Sequence, residues 1–433
     1  MVRAVIVTDL GFGDSGKGTV TDFLVRELGA GWVVRHNGGA QAAHNVVTSD
    51  GRHHTFSQFG SGTFVPGVRT YLSRYMVLHP GGLLEEARVL AGVGVGDAMM
   101  RVFIDPEARV ITPFHQAANR LREVLRGDAR HGSCGLGVGE TMHHSLEHPE
   151  EGVLAGDLLD TADLRRKLCR IQQRYWAEFS SRRAELVADP MGSVEMEVLE
   201  STQAREQFLA EARQVALRVS KERPDSKSVV FEGAQGVLLD EWRGFHPYTT
   251  WSTCTFDNAL KLAEEWGMEP YRLGVVRSYA TRHGAGPFPT EDTGLQVPEP
   301  HNGWGPWQQG FRLGWLDLVL LRYAAEVCGG VDGLAVTHLD RFRPGWKLAS
   351  RYRDVESLQP GPFTDLEYQE RLTDMLQDAA PAYRELNRME ELLAELAELG
   401  PVVLGSWGTT VEDKRWLASA PFRQACSSSV EAA

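Results

Sequence analysis

Two short stretches carry residues whose types and spacing suit chemistry. The first, Gly11-Phe12-Gly13-Asp14-Ser15-Gly16-Lys17-Gly18, has the GxxxxGK spacing of a phosphate loop, in which glycines let backbone N–H groups approach phosphate oxygens and Lys17 adds charge. Two features are unusual. Gly18 stands where an ordinary NTPase loop has the Ser or Thr that holds Mg²⁺, and a carboxylate, Asp14, lies inside a loop built for anions. A carboxylate so placed is suited to ligating Mg²⁺ or taking a proton. The second stretch runs Arg35-His36-Asn37-Gly38-Gly39-Ala40-Gln41-Ala42-Ala43-His44-Asn45, small and polar after the apolar pair Val33-Val34. A histidine there serves acid–base chemistry or a structural hydrogen bond, and the stretch alone does not choose between them.

These loops need strands and helices to aim them. AVIVTDL reads as a strand, GFGDSGKG as the turn, and TVTDFLVREL as a helix with Val20, Phe23, Leu24 and Leu28 on one face. Further strand candidates end in polar or glycine-rich loops at WVVRHNGG, SVVFEGAQG, YRLGVVRSYATRHGAGPFPTE, GLAVTHLD and PVVLGSWGTT. Their alternation with helical stretches predicts an α/β fold with a central, mostly parallel sheet, a P-loop-like nucleotide site and helical insertions. Ligands in such folds sit at the carboxyl ends of the strands. A charged stretch of about 161–227 is expected to form a helical insertion within a single unit spanning 1–433, and a second helical region follows Asp365. The Pro/Gly-rich stretch from Pro298 to Gly310 is a candidate lid.

The chain has 433 residues, 42% hydrophobic and 24% charged, which is ordinary globular composition. Its 45 basic and 58 acidic residues give a formal charge of −13, which argues against broad phosphate neutralisation and hence against a nucleic-acid partner. Five cysteines, Cys134, Cys169, Cys254, Cys328 and Cys426, include no CxxC pair, so neither a disulfide framework nor a zinc site is indicated. Ala4-Val5-Ile6-Val7 stops at Asp9, too short for a signal core, and no run reaches the length of a membrane span. A cytoplasmic protein without membrane partners is expected.

Together the two loops resemble the adenylosuccinate synthetase family, whose signature is a GDEGKGK-type loop followed by a glycine- and asparagine-rich segment ending in a catalytic histidine. The resemblance continues in order over nearly the whole chain. HGSCGLGVGET (131–141) is similar to the family's nucleotide-phosphate loop and FEGAQGVLLD (231–240) to its EGAQG motif. YATRHGAGPFPTE (279–291) and GWLDLVLLR (314–322) resemble two further blocks. THLD (337–340) stands where the family has its guanine-recognising TKLD, and SWGTT (406–410) is similar to the segment closing the base site.

The resemblance implies a GTP-dependent ligase forming a C–N bond at purine C6: IMP, aspartate and GTP give adenylosuccinate, GDP and phosphate. It assigns Asp14 as general base and Mg²⁺ ligand, His44 as catalytic acid facing the γ-phosphate, and the Ala43 carbonyl as a second ligand to one Mg²⁺ ion. Gly13, Ser15, Gly16, Lys17, Gly18, Ala43, His44, Asn45, His338, Asp340, Ser406 and Gly408 would bind GTP. Asp14, Lys17, Gln41, Ser133, Cys134, Gln235, Thr250, Gln309 and Arg312 would bind the nucleotide and amine substrates. A homodimer is implied as well, because the family completes its site across a twofold interface.

Several positions depart from the family's pattern. The arginine-rich loop before GWLD reads Trp307-Gln308-Gln309-Gly310-Phe311-Arg312-Leu313, so Gln309 and Phe311 replace guanidinium groups that would grip aspartate and the nearby ribose. Arg312 remains, with Arg282 a further candidate. His148-Pro149-Glu150-Glu151 stands where the family sends an arginine to the neighbouring subunit's IMP phosphate. Ser15, Cys134 and His338 replace a glutamate, a threonine and a lysine. The phosphoryl-transfer half thus keeps the pattern better than the substrate half, which leaves open a paralogous ligase using another amine or purine nucleotide. A non-catalytic GTP-binding module would need neither Asp14 nor His44.

Overall fold

The apolar runs assemble into one nine-stranded sheet in the computed structural model, which describes residues 3–127, 133–299 and 310–418. Its order is Lys414–Trp416, Val402–Ser406, Gly333–Thr337, Glu269–Arg277, Arg3–Asp9, Ser228–Glu232, Trp32–Arg35, Arg69–Leu72 and Val102–Ile104. All neighbours are parallel except the edge strand Lys414–Trp416. The runs are apolar at almost every position because both faces are covered. Ala4, Ile6, Trp32, Val34, Val229 and Phe231 face one core. Val5, Val7, Val33 and Val230 face another, shared with Val20, Phe23, Leu24 and Leu28 of the helix Lys17–Leu28.

Parallel strands place their carboxyl ends on one rim. There the chain supplies Asp9, Arg35, Glu232, Arg277, Thr337 and Ser406, each the last residue of its strand. The loops carrying the sequence motifs begin at these residues, so the sheet brings them together.

Beside the sheet a second core joins Leu83 and Leu90 of helix Pro80–Gly92 and Phe114 and Leu121 of Pro113–Arg126. Helices Thr161–Phe179, Pro190–Glu200 and Thr202–Ala216 add Leu164, Leu168, Ile171, Met196, Leu199, Leu209 and Val215. Asp160, Asp189 and Ser201 cap these three helices by accepting from first-turn N–H groups. After Asp365, helices Leu366–Gln377 and Met389–Leu396 flank a strand, Pro381–Leu386, where only helix was expected. Its polar, exposed residues show no strand periodicity. Antiparallel pairing with Trp346–Tyr352 supplies the backbone partners that fix it.

A short hairpin pairs Ala280–His283 with Phe311–Gly314, setting His283 opposite Phe311 and Arg282 opposite Arg312. Most of the expected lid, including Gln309, lies outside the described residues. Among those described, no helix is long and apolar enough to cross a membrane.

Candidate active site

The phosphate loop is built around Asp9. Its carboxylate accepts from Gly11 N (2.8 Å), Ser15 N (2.9 Å) and the Ser15 hydroxyl (2.9 Å), and pairs with Lys17 Nζ at 3.0 Å. The group is buried, so these contacts are made in a medium that strengthens them. Left-handed backbone at Gly13 (φ 93°), Asp14 (φ 61°) and Gly16 (φ 87°) folds the loop tightly. For a non-glycine residue such as Asp14 that conformation costs on the order of 1 kcal/mol, a strain characteristic of functional loops. The Thr337 hydroxyl ties the loop to the strand Gly333–Thr337, two places along the sheet, by donating to Ser15 O at 2.8 Å. Gly18 also finds its reason here. A Cβ at that position would lie 2.7 Å from His44 Cβ and 3.0 Å from Ser61 Oγ, so a Ser or Thr would push the histidine away.

His44 opens the strand His44–Val47 and is buried. Its Nδ1 lies 2.6 Å from Glu232 Oε1, while Glu232 Oε2 accepts from Ser61 N at 2.9 Å and the Ser61 hydroxyl donates to Oε1. Burial alone would raise the Glu232 carboxyl, but the His44 contact, the Arg35 charge and Ser61 outweigh it and pull it down to about 2. Glu232 is therefore ionised. Burial lowers the His44 imidazole, the Glu232 charge opposing, so its protonated form is a stronger acid than a free histidine. With Nδ1 donating to the carboxylate, Nε2 is the nitrogen left for chemistry.

A cleft of about 390 Å³ runs along the rim between these groups. It gathers Gly13, Asp14, Gly16, Lys17 and Gly18 from the first loop, Gln41, Ala43, His44 and Asn45 from the second, and Gln235, His338, Asp340, Ser406 and Gly408 from the later motifs. Gln235, in left-handed backbone (φ 55°), and Gln41 each leave a buried amide oxygen without a partner among the described residues. Asn37 clamps the two motifs that carry these amides, donating to Ala234 O at 3.0 Å and accepting from Ala234 N at 2.7 Å. At the other end Arg277 donates to His338 Nε2 (2.8 Å) and to Glu299 (2.6 Å). Burial and the Arg277 charge hold the His338 imidazole well below its usual range, so it is neutral. Asp340, 31% exposed, pairs with Arg341 at 3.1 Å, and partial burial raises its carboxyl.

The family model for adenylosuccinate synthetase matches residues 6–399. The adenylosuccinate synthetase of Mycobacterium tuberculosis is 32% identical over 348 residues, covering 78% of this chain and 77% of its relative. The chain belongs to the adenylosuccinate synthetase family. Its counterpart from Nitrosococcus oceani is 33% identical over 351 residues, 78% of each chain. Among solved structures, fully ligated adenylosuccinate synthetase from Plasmodium falciparum superposes with a TM-score of 0.73 at 19% identity, covering 96% of this chain and 99% of that one. A succinoaminodeoxyadenylate synthetase of cyanophage S-2L, bound to dGMP and dATP, gives 0.57 at 16% identity, covering 99% and 98%. The two structures share the fold. Family membership makes the chain a GTP-dependent ligase that forms a C–N bond.

Other residues that adenylosuccinate synthetase resemblance singles out lie outside the walls of this cleft. The Ser15 side chain turns beneath the loop to Asp9. Ser133 donates to Asn119 Oδ1 at 2.9 Å, burial raises the Cys134 thiol, and the Thr250 N–H bonds to Leu239 O. Arg312 pairs with Glu291 (3.0 and 2.6 Å) and donates to Gly284 O and Gly286 O. Arg282 is buried, donates to the carbonyls of Ala285, Pro287 and Tyr248, and stacks on Phe12 at 4.2 Å; burial pulls its guanidinium down to about 9. Both arginines thus hold the hairpin together. Glu151 pairs with Arg174 at 3.0 Å. Sequence reasoning missed Asp9 and Glu232, although each stands at the junction of an apolar strand and a glycine loop, the position where such folds bind ligands.

Proposed function

We propose that this ligase transfers the γ-phosphoryl group of GTP to the 6-oxygen of IMP and then joins C6 to the amine of aspartate, releasing adenylosuccinate, GDP and phosphate. The observation that carries the reading is the placement of Asp14 and the His44–Glu232 pair on facing loops of one cleft. Asp14 takes the N1 proton, the electrons pass to O6, and O6 attacks the γ-phosphorus while GDP leaves. His44, as the imidazolium with Nδ1–H on Glu232, directs Nε2–H at the transferred group, stabilises its charge, and gives that proton to the departing phosphate as the amine attacks C6; the amine's proton then returns to His44 Nε2. Gln235 offers its amide to the purine edge and Gln41 adds a second amide to the substrate nucleotide, the oxygen of each being unpartnered among the described residues. Lys17 and the loop N–H groups hold the GTP phosphates, and Asp340 accepts from the guanine N1–H and exocyclic amine.

One Mg²⁺ ion fits this donor set. A single carboxylate, Asp14, and the Ala43 carbonyl suit a hard cation that takes its other ligands from phosphate and water. When bound, the ion would neutralise charge on the transferring phosphoryl group. A cytoplasmic homodimer belongs to the same reading. The engagement of Arg282 and Arg312 with the hairpin favours a second one, a paralogous ligase whose amine donor is not a dicarboxylate. The deciding experiment incubates the purified protein with GTP, Mg²⁺ and IMP against a panel of amino acids, reading phosphate release and product mass. Aspartate-dependent formation of adenylosuccinate is expected. A product carrying another amine moves the assignment to the paralogue, and no phosphate release with any amine refutes both.

A further inference from the structure

The hairpin of Ala280–His283 and Phe311–Gly314 brings an imidazole to the one catalytic group that the phosphate loop does not support. Asp14 sits at the strained turn of that loop with its side chain 33% exposed. Among the described residues its only ion-pairing partner is His283, whose Nε2 lies 3.5 Å from Asp14 Oδ2. His283 comes from the opposite side of the cleft and is aimed by strand register, opposite Phe311, on whose ring it packs edge-on at 4.8 Å.

Its neighbour shows what a structural side chain in this hairpin does. Arg282 is spent on three backbone carbonyls. Among the described residues the His283 side chain bonds to none of the hairpin backbone, and its buried Nδ1 has no partner. The tautomer carrying hydrogen on Nε2 points that N–H at Asp14 Oδ2 and leaves no N–H at the buried Nδ1. The separation is a few tenths of an ångström beyond an ordinary N–H···O bond.

We propose that His283 is a positioning residue for Asp14. The Nε2–H of His283 holds the Asp14 carboxylate from the far wall, in the orientation from which it takes the N1 proton. This rests on the assignment of Asp14 as the base.

The test needs no amine donor. GTP labelled with oxygen-18 in the β,γ-bridge scrambles the label when the γ-phosphoryl group moves to IMP and returns, so the scrambling rate reports phosphoryl transfer alone. His283→Leu should lower that rate by about 10- to 100-fold, the loss expected for a hydrogen bond to a charged group, with GTP affinity changed less than about threefold. His283→Gln, which keeps an N–H donor, should recover most of the rate. In an Asp14→Asn background, His283→Leu should add less than about twofold, because its effect passes through the missing carboxylate. Should His283→Leu fold poorly, His283→Met gives the same comparison. A silent His283→Leu, or a loss that multiplies undiminished in the Asp14→Asn background, overturns the proposal. Normal scrambling by Asp14→Asn alone overturns the base assignment and this inference with it, a result distinct from the other two.

Discussion

Replacing Glu232 by Gln tests whether the His44 pair is catalytic machinery. The carboxylate serves three donors: His44 Nδ1 and the Ser61 hydroxyl at Oε1, and Ser61 N at Oε2. An amide of the same size has one acceptor oxygen and one NH₂ group, so in either orientation at least one donor is left facing N–H. A buried donor without a partner costs about 1–3 kcal/mol, and exchanging a charged for a neutral acceptor of His44 costs about 1 kcal/mol more. The Glu232 charge also acts on the buried Arg35, whose Nη1 donates to Ser57 O and Phe59 O. The expected outcome is therefore twofold. Urea unfolding should show a stability loss of several kcal/mol, and oxygen-18 scrambling in GTP with IMP should slow by about a hundredfold with nucleotide affinities within about threefold. Scrambling within threefold of the parent, while His44→Asn abolishes it, would refute the claim that Glu232 orients and charges the histidine.

Asp9→Asn should raise the KM for GTP at least about tenfold, because the loop loses the charged acceptor of four hydrogen-bonded groups; unchanged GTP saturation would show that the loop shapes itself without it. Asp340→Asn should weaken GTP binding by about 1–3 kcal/mol in calorimetric titration, and equal use of ATP and GTP by the parent would contradict guanine recognition there. Stability should fall in acid through His36, which burial lowers from 6.5 to about 3. Between those values the unfolded chain binds a proton that the folded one refuses, so this residue alone costs about 2 kcal/mol from pH 7 to pH 5. His36→Leu should remove that share of the slope with little loss at pH 7, since neither ring nitrogen has a partner among the described residues; an unchanged slope counts against it. If aspartate is the donor, Arg312→Leu should raise its KM about tenfold or more and Gln309→Arg should lower it; identical saturation in both variants removes this segment from donor recognition.

The central sheet was legible because strands buried on both faces must be apolar throughout, and runs such as Ala4-Val5-Ile6-Val7 and Ser228-Val229-Val230-Phe231 say so directly. The loops were legible through glycine spacing and through an acid in an anion-binding turn. What could not be read were relationships between distant segments. Asp9 reads as the end of a strand until its carboxylate is seen to gather Gly11, Ser15 and Lys17, and Glu232 reads as one letter of a motif until His44 arrives from another loop. His283 and Asp14 meet only because a hairpin closes over the loop. Arginine in a motif announces a charge but not its partner. Sequence treated Arg282 and Arg312 as available to a substrate, whereas the fold sets the first on three carbonyls and the second on Glu291 and two carbonyls.

The same pairing governs how an acidic protein holds a polyanion. Five cationic or protonatable groups along the cleft face carboxylates: Lys17 with Asp9, His44 with Glu232, Arg277 with Glu299, Arg341 with Asp340 and His283 with Asp14. The carboxylates keep these groups from being buried as uncompensated charges before the nucleotide arrives. On the proposed assignment GTP would bind by exchange, its phosphates competing with Asp9 for Lys17 and its guanine with Arg341 for Asp340. Affinity follows from the difference between two sets of charged hydrogen bonds rather than from the number of cations. A formal charge of −13 is thus compatible with a triphosphate site. Removing Asp9 would free Lys17 for phosphate, but it also removes the acceptor that gathers Gly11, Ser15 and Lys17, and the loss of that loop geometry is why Asp9→Asn is expected to weaken GTP binding.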